Sequence, residues 1–233
     1  MRIAIIGYGK MGRLVESLAK RDGWDVGPRL DLEDNRNGTG ITRASMTGVD
    51  VAVDFSQPDA VIPNVEAAAR AGVHMVVGTT GWSAHVDRAR QVVLEFGTGL
   101  VYGANFSVGM NLFFEIAAEA ARIIGKVPQY DAFLSEAHHR AKKDAPSGTA
   151  LNLLEMIRPS LAGREPGIAV TRAGYIPGIH VLGFDSEADT ITLQHSARNR
   201  QGLAEGAMLA ARWIADRKGF YDFRIIFREI MGF

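Results

Sequence analysis

A glycine-rich turn directly after an apolar run is the feature that most constrains the fold of this chain. Residues 3–6 read Ile-Ala-Ile-Ile, a continuous apolar run typical of a strand buried on both faces. The turn follows at once as Gly7-Tyr8-Gly9-Lys10-Met11-Gly12, and residues 11–21 have the apolar spacing of a helix. The three glycines permit a tight turn, close approach of backbone to a pyrophosphate, and close packing of helix on strand. We therefore predict that residues 7–12 bind a dinucleotide cofactor at a helix N-terminus.

Alternating strands and helices continue to residue 105, which predicts a parallel sheet with right-handed crossovers. The interval 35–48 is polar and has no helical period, so one crossover is expected to be a loop. The other predicted elements are a strand at 49–55, a helix at 58–71, a strand at 73–77, a helix at 83–96 with Ser83 as its N-cap, and a strand at 100–102.

Beyond residue 105 strands become more frequent than helices, which predicts a second domain. The fold class is thus α/β: a Rossmann-type doubly wound parallel sheet with a second α+β domain built on a mixed sheet. We predict residues 1–105 plus 201–233 as the dinucleotide-binding domain and residues 106–200 as the substrate-binding domain. The elements behind this division are a helix at 110–124, a strand at 131–137, a helix at 149–158, strands at 168–172, 180–184 and 190–195, and a returning segment at 203–216 and 221–233.

Further cofactor contacts are predicted where strands of the first domain end. Asp31 follows the second strand at the distance expected for an acid that holds the ribose hydroxyls, with Asp25, Glu33 and Asp34 as alternatives. No basic residue follows Asp31 directly, so NADH is favoured over NADPH, although both stay open. Two later loops should also face the cofactor, and they contain Gly78, Thr79, Thr80, Gly103, Ala104, Asn105 and Phe106.

The segment 136–150 carries the densest chemistry. Two adjacent histidines, His138 and His139, precede Lys142, and Ser147-Gly148-Thr149 then opens a helix. A histidine can deliver a proton at neutral pH, and a helix N-terminus with a nearby cation can hold a carboxylate. This predicts a pocket, with Ser147 among its substrate-binding residues, for a small anion that needs a proton during reduction. No metal site is expected, because adjacent histidines point in different directions and no third ligand is obvious.

Other polar residues of the second domain are open to two interpretations. His180 and His195 lie on predicted strands, and either suits a structural role as well as a pocket. Arg200 begins the return to the first domain and is a candidate for a substrate carboxylate or for a hinge.

Bulk properties exclude several classes of protein. Lys plus Arg equals Asp plus Glu, 26 of each, which argues against binding to nucleic acid or a membrane surface. There is no cysteine, so a disulfide framework, a zinc–thiolate site and a cysteine nucleophile are all excluded. The apolar run before Gly7 is too short for a signal sequence, and no run approaches the ~18 residues that span a bilayer. We expect a cytoplasmic protein.

These motifs together resemble the dihydrodipicolinate reductase (4-hydroxy-tetrahydrodipicolinate reductase) family. The family pattern E-x-H-H-x-x-K-x-D-A-P-S-G-T-A is present from Glu136 to Ala150 without a gap. Supporting motifs lie at 7–13, 53–58, 76–81, 104–109, 172–174, 178–180 and 195–200. The resemblance covers nearly the whole chain.

The resemblance implies an activity: NAD(P)H-dependent reduction of 4-hydroxy-tetrahydrodipicolinate to tetrahydrodipicolinate, on the diaminopimelate route to lysine. It implies that His138 acts as acid and base and that Lys142 stabilises negative charge. His139, Gly148 and Thr149 would bind the substrate. It also implies a homotetramer assembled through the sheet of the second domain.

Three features depart from the family pattern. The connection from 31 to 49 is short, Leu32 stands where several members have an arginine, and Lys143 adds a cation where an apolar residue is common. Two alternatives therefore stay open: a nicotinamide-dependent dehydrogenase of another amino or imino dicarboxylate, and a non-catalytic sensor of NAD(H).

Overall fold

The computed structural model describes all 233 residues, which form two compact units. Unit 1 comprises Met1–Ser107 and Gln201–Phe233, and unit 2 comprises Val108–Arg200. Between Met1 and Tyr102, unit 1 contains β1 (Arg2–Ile6), α1 (Lys10–Arg21), β2 (Asp25–Leu30), β3 (Val51–Asp54), α2 (Val61–Ala71), β4 (His74–Val77), α3 (Val86–Phe96) and β5 (Gly99–Tyr102). The remaining elements are α4 (Val108–Ile124), β6 (Asp131–His138), α5 (Gly148–Ile157), β7 (Gly167–Arg172), β8 (Ile179–Asp185) and β9 (Thr190–Ser196) in unit 2, then α6 (Gln201–Ile214), β10 (Gly219–Asp222) and α7 (Phe223–Met231) in unit 1.

Unit 1 is built on a six-stranded sheet in the order β10-β5-β4-β3-β1-β2, and every pair in it is parallel. Its central strands are mostly apolar and almost fully buried, as helices on both faces of a parallel sheet require. The chain moves outward from β1 in both directions, first to β2 and then to β3. Ligands of such sheets bind at the carboxyl ends of the strands on either side of this reversal.

Two details of unit 1 differ from the sequence prediction. The N-cap prediction for Ser83 is wrong: Ser83 lies in a 3₁₀ turn, Ser83–His85, and no side chain caps α3. The strand β10 was not predicted, because its four residues are half-buried and mostly aromatic or polar. It extends the sheet beside β5, and Asp222 at its end caps α7 by accepting a hydrogen bond from the Arg224 amide at 2.8 Å.

Unit 2 is built on a four-stranded mixed sheet in the order β7-β6-β8-β9. Strand β6 pairs with β7 in parallel and with β8 antiparallel, and β9 completes the sheet beside β8. Helices α4 and α5 pack on the face that carries Leu134, Leu182 and Phe184. The opposite face carries half-buried side chains that include Phe133 and Val181. The two sheets confirm the predicted fold class. No helix in either unit is both long and apolar enough to cross a membrane.

Candidate active site

Of the three glycines in the first turn, two are required by close packing and the third leaves open space for a ligand. Gly7 has φ +83°, and a Cβ atom there would collide with the carbonyl group of Phe55. A Cβ at Gly12 would collide with the Gly7 carbonyl and lie 3.0 Å from Ile5 Cγ2. A Cβ at Gly9 would meet nothing within 4 Å, and no side chain caps α1, whose N-cap is Gly9. An anion can therefore approach the first amides of α1 over Gly9, which fits a pyrophosphate.

A cavity of about 260 Å³ lies beside this turn, where β1, β2 and β3 end. The exposed carboxylate of Asp31 lies at its rim and accepts a hydrogen bond from the Leu32 amide at 2.9 Å. The position of Asp31 suits a ligand to ribose hydroxyls. Of the other residues predicted in the turn, Tyr8 and Met11 are half-buried and Lys10 is exposed. The cavity is lined by Ile6, Gly7, Gly9, Leu30, Asp31, Leu32, Asn35, Phe55, Ser56, Gln57, Ala60 and Asn64.

Arg29, the basic side chain at the end of β2, is held by a carboxylate of α1. Its Nη2 lies 2.6 Å and its Nε 3.0 Å from Oε1 of Glu16, and its Nη1 donates to the Gly27 carbonyl at 3.0 Å. Tyr8 and Lys20 also bind Glu16. Hydrogen bonds from Arg29, Lys20 and Tyr8 lower the pKa of Glu16 to about 2. The charge of Arg29 is thus neutralised within the protein.

The two later loops present backbone more than side chains. The Thr79 hydroxyl is buried and donates to Oδ1 of Asp54 at 2.9 Å, whereas Thr80 is exposed. Phe106 is buried and packs on Phe223 with ring centroids 4.5 Å apart. Gly78 is half-buried and Gly103 is buried, while Ala104 is exposed. Asn105 is half-buried, and its Oδ1 accepts from the Ser107 amide at 2.9 Å.

Asp54 ties these loops together although the sequence did not single it out. Its fully buried carboxylate accepts from the amide of Ser56 at 2.8 Å and from the hydroxyl of Ser56 at 2.6 Å. Asn64 Nδ2 donates at 2.9 Å, and Thr79 supplies the fourth hydrogen bond. Burial raises the pKa of Asp54, and these hydrogen bonds oppose the rise. The carboxylate fixes the ends of β3 and β4 beside the cavity.

In unit 2, a second buried carboxylate organises the predicted chemical segment. Oε1 of Glu136 accepts from the Ser147 amide at 2.9 Å and from Nη2 of Arg172 at 2.7 Å, and Oε2 accepts from the Ser147 hydroxyl. That hydroxyl also caps α5 by accepting from the Ala150 amide at 3.2 Å. Ser147 was predicted to bind substrate, but it is buried with both of its donors committed to Glu136.

Two imidazoles lie against the same carboxylate. His138 Nδ1 and His180 Nε2 are each 3.5 Å from Oε2 of Glu136, and the two rings meet edge to face with centroids 5.1 Å apart. Burial lowers the pKa of His138, with Glu136 opposing and Lys142 reinforcing the shift. Burial, with a smaller contribution from His138, lowers the pKa of His180 to about 4. His180 is therefore neutral at pH 7.

Glu136, His138 and His180 together offer three possible metal ligands, whereas the sequence showed no third ligand near the histidine pair. One ligand atom from each of Glu136, His138 and His180 lies within 4.8 Å of the others. The guanidinium of Arg172 already neutralises the carboxylate, however, and a divalent cation would be placed close to that positive charge. The arrangement is better suited to hold a proton than a metal ion.

The predicted anion-binding groups lie at the start of α5. Lys142 Nζ pairs with Oδ1 of Asp144 at 2.9 Å, and Oδ2 of Asp144 lies 3.4 Å from the Gly148 amide. Gly148 is exposed, and His139 and Thr149 are half-buried. An incoming carboxylate would compete with Asp144 for the same cation and amide. Arg200, the last residue of unit 2, is exposed and has no hydrogen bond or ion pair to this cluster.

Sequence reasoning missed Glu136, Arg172 and Asp54 as working parts of the two sites and left His180 undecided. One signal for Glu136 was available: it lies two residues before His138, so on a strand both side chains face the same side. The contributions of Arg172 and His180 depend on the pairing of β6 with β7 and β8.

Comparisons with known proteins agree along the whole chain. Residues 1–106 match the N-terminal family profile of dihydrodipicolinate reductase, and residues 109–227 match its C-terminal profile. The 4-hydroxy-tetrahydrodipicolinate reductase of Christiangramia forsetii is 32% identical over 241 aligned residues, covering 99% of each chain. That of Archaeoglobus fulgidus is 35% identical, covering 95% of this chain and 97% of its own.

Solved structures share the fold. A dipicolinate-bound dihydrodipicolinate reductase from Paenisporosarcina sp. TG-14 superposes with a TM-score of 0.74 at 22% identity, covering 97% of this chain and 99% of its own. A probable dehydrogenase from Thermotoga maritima gives a TM-score of 0.53 at 12% identity, covering 89% of this chain and 85% of its own. At these identities the solved structures support only the fold. The two profile matches, and relatives that align over nearly their whole length, show that this chain belongs to the dihydrodipicolinate reductase family.

Proposed function

We propose that this chain reduces 4-hydroxy-tetrahydrodipicolinate to tetrahydrodipicolinate with a nicotinamide dinucleotide, in the diaminopimelate route of lysine biosynthesis. The observation that carries the proposal is the cluster in unit 2. A buried imidazole, a lysine ammonium and the N-terminus of α5 lie within one short segment, 138–149. Such a set can hold a small dicarboxylate and supply a proton to it. A sensor of NAD(H) would not need this set, and membership of the family disfavours another dicarboxylate dehydrogenase.

His138 is the proposed acid. It is buried beside Glu136, and its pKa lies below the ordinary value because of burial. The lowered pKa makes the protonated ring a stronger acid, but the ring donates only in its protonated form, which becomes less populated as the pH rises. Lys142 supports negative charge on the substrate, while His139, Gly148 and Thr149 hold its carboxylates at the start of α5. We assign no direct contact to Ser147 and keep Arg200 as a candidate for a second carboxylate.

The cofactor is proposed to bind unit 1. When bound, the reduced nicotinamide supplies a hydride. Open space over Gly9, the uncapped start of α1 and the cavity at Asp31 fit the phosphates and a ribose. The backbones of Gly78–Thr80 and Gly103–Phe106 complete the proposed site, since the Thr79 hydroxyl and the Phe106 ring are committed elsewhere.

We further propose NADH as the preferred coenzyme. A ribose 2′-phosphate needs a cation, and Arg29 is neutralised by Glu16. Asp31 would repel that phosphate, and Leu32 beside it carries no charge.

The two units are proposed to divide the work, with unit 1 binding the dinucleotide and unit 2 binding the substrate. We also propose that unit 2 assembles the chain into a homotetramer through the sheet face that carries Phe133 and Val181. Side chains on this face are half-buried in the single chain, which leaves apolar area for a partner copy.

A coupled assay tests the activity. The unstable substrate is generated in place by dihydrodipicolinate synthase. The oxidation of NADH and of NADPH is followed separately by the loss of absorbance of the reduced nicotinamide. We expect oxidation that depends on the synthase, with a higher kcat/KM for NADH. Oxidation no faster than in a mixture without the synthase, for either coenzyme, would contradict the proposal.

A further inference from the structure

We propose that Glu136 is a positioning residue for the reaction: its carboxylate holds the His138 ring in place, balances the charge of that ring when it is protonated, and fixes the start of α5 through Ser147. The inference rests on the proposed function, because it assigns Glu136 a task in the same site. Glu136 does not touch the reacting atoms and acts through His138 and Ser147.

The two oxygens of Glu136 are used differently. Oε1 binds the Ser147 amide and the Arg172 guanidinium, at 2.9 and 2.7 Å. Oε2 binds the Ser147 hydroxyl and lies 3.5 Å from the nearest nitrogen of His138 and of His180. One carboxylate therefore links three strands, β6, β7 and β8, to the helix that is proposed to hold the substrate. A shift of this group would move both the acid and the anion site.

The sheet leaves little freedom for this arrangement. Glu136 and His138 lie on the same face of β6, Arg172 is paired with His138 in the β6–β7 register, and His180 is paired with Glu136 in the β6–β8 register. Glu136 is 3% and His138 8% exposed, so water does not screen their interaction strongly. At 3.5 Å the His138 Nδ1 atom makes no hydrogen bond to Oε2 of Glu136, so the carboxylate acts on the ring through its charge and its close approach.

The opposite edge of the His138 ring faces a glycine. A Cβ atom at Gly178 would lie 3.2 Å from His138 Nε2, and φ there is +152°, a conformation that favours glycine. Because Nδ1 faces Glu136 and no side chain is present at Gly178, Nε2 is the nitrogen left for proton transfer.

The charges around His138 come from three elements. Glu136 lies on β6, Lys142 and Asp144 on the loop after it, and Arg172 on β7; His180 on β8 is neutral at pH 7. Glu136 and Asp144 raise the pKa of His138, whereas Lys142 and Arg172 lower it. Since His138 must be protonated to act as an acid, kcat/KM should fall as the pH rises through its pKa. Removing the carboxylate charge should move this fall to lower pH, and removing the Arg172 charge should move it to higher pH.

The test compares Glu136→Gln with Arg172→Gln by the pH profile of kcat/KM in the coupled assay. Each variant is checked for folding by circular dichroism. The basic limb of the profile is the fall of kcat/KM at high pH. We expect this limb to shift to lower pH by about one unit in Glu136→Gln and to higher pH in Arg172→Gln. Glu136→Asp keeps the charge, so its limb should stay closer to that of the wild type than the limb of Glu136→Gln. Ser147→Ala should raise KM without moving the limb.

The possible failures are distinguishable. A wild type without activity refutes the proposed function itself. An active wild type whose limb is unchanged in the folded Gln variants, or moves in the same direction in both, overturns the role of Glu136. If Glu136→Gln does not fold, the upward shift in Arg172→Gln decides alone: no shift there overturns the proposal.

Discussion

The most deeply buried carboxylate of each unit lies at its site, and these two carboxylates have different partners. Asp54 in unit 1 is fully buried and is satisfied by neutral donors of Ser56, Asn64 and Thr79. Glu136 in unit 2 is almost as buried, but it binds the cation of Arg172 and lies beside two imidazoles.

The pKa values of the two groups follow these partners. Burial favours the neutral form of both. At Asp54 burial prevails, so the pKa is raised, whereas at Glu136 the hydrogen bonds from Ser147 and Arg172 prevail, so the pKa is lowered. A carboxylate held by neutral donors can fix loops without a cation beside it. A carboxylate held beside cations and imidazoles keeps its charge and can influence a neighbouring acid. We infer that Asp54 serves the fold of unit 1 and that Glu136 serves the chemistry of unit 2.

The largest expected effect lies at the acid of unit 2. His138→Gln should lower kcat by ~10²–10⁴-fold, because the general acid is lost, and should leave binding of NADH to unit 1 nearly unchanged. The coupled assay measures kcat, and fluorescence titration measures the Kd of NADH. His85→Gln, a change on an exposed turn of unit 1, is the matched control. A rate near that of the wild type would remove His138 from its role.

Asp54→Asn should act on stability rather than chemistry. The new amide would face the donor group of Asn64, which costs about 1–3 kcal/mol of the free energy of unfolding. The pKa of Asp54 in the folded protein lies above its ordinary value of 3.8. The wild type therefore loses stability as the pH rises from 3.8 through the raised folded pKa. The variant should lack this slope.

Glu136 should show the opposite slope: its contribution is complete above pH 4.5 and is lost as the pH falls through its lowered folded pKa. Urea unfolding of wild type, Asp54→Asn and Glu136→Gln at several pH values measures both slopes. Equal slopes of the same sign for the two carboxylates would refute the comparison.

The smallest expected effect concerns coenzyme choice in unit 1. Glu16→Gln keeps the shape of the side chain but no longer neutralises Arg29, so kcat/KM with NADPH should rise about two- to fivefold relative to NADH. Lys20→Ala removes another partner of Glu16 from an exposed position and is the control. An unchanged ratio of the two coenzymes would show that Arg29 does not set the preference.

The two carboxylates also show which parts of the fold and of the sites can be predicted from the sequence. The turn at 7–12 and the segment 136–150 were found because their residues are adjacent and their spacing is tied to local structure. The sheets followed from apolar periodicity, except for β10, whose four residues have no such pattern. The partners of Asp54 and Glu136 come from separate elements, so strand order and register decide them. Ser147 illustrates the limit: its place before a helix was evident, but its commitment to Glu136 was not.

The most direct measurement follows the His138 ring itself. An NMR titration of ¹⁵N-labelled histidine, assigned with His138→Gln, reports the pKa of that imidazole in the wild type, in Glu136→Gln and in Asp54→Asn. We predict a lower pKa of His138 in Glu136→Gln and an unchanged value in Asp54→Asn. An unchanged value in Glu136→Gln, or an equal shift in both variants, would contradict the division between a carboxylate that serves the fold and one that serves the reaction.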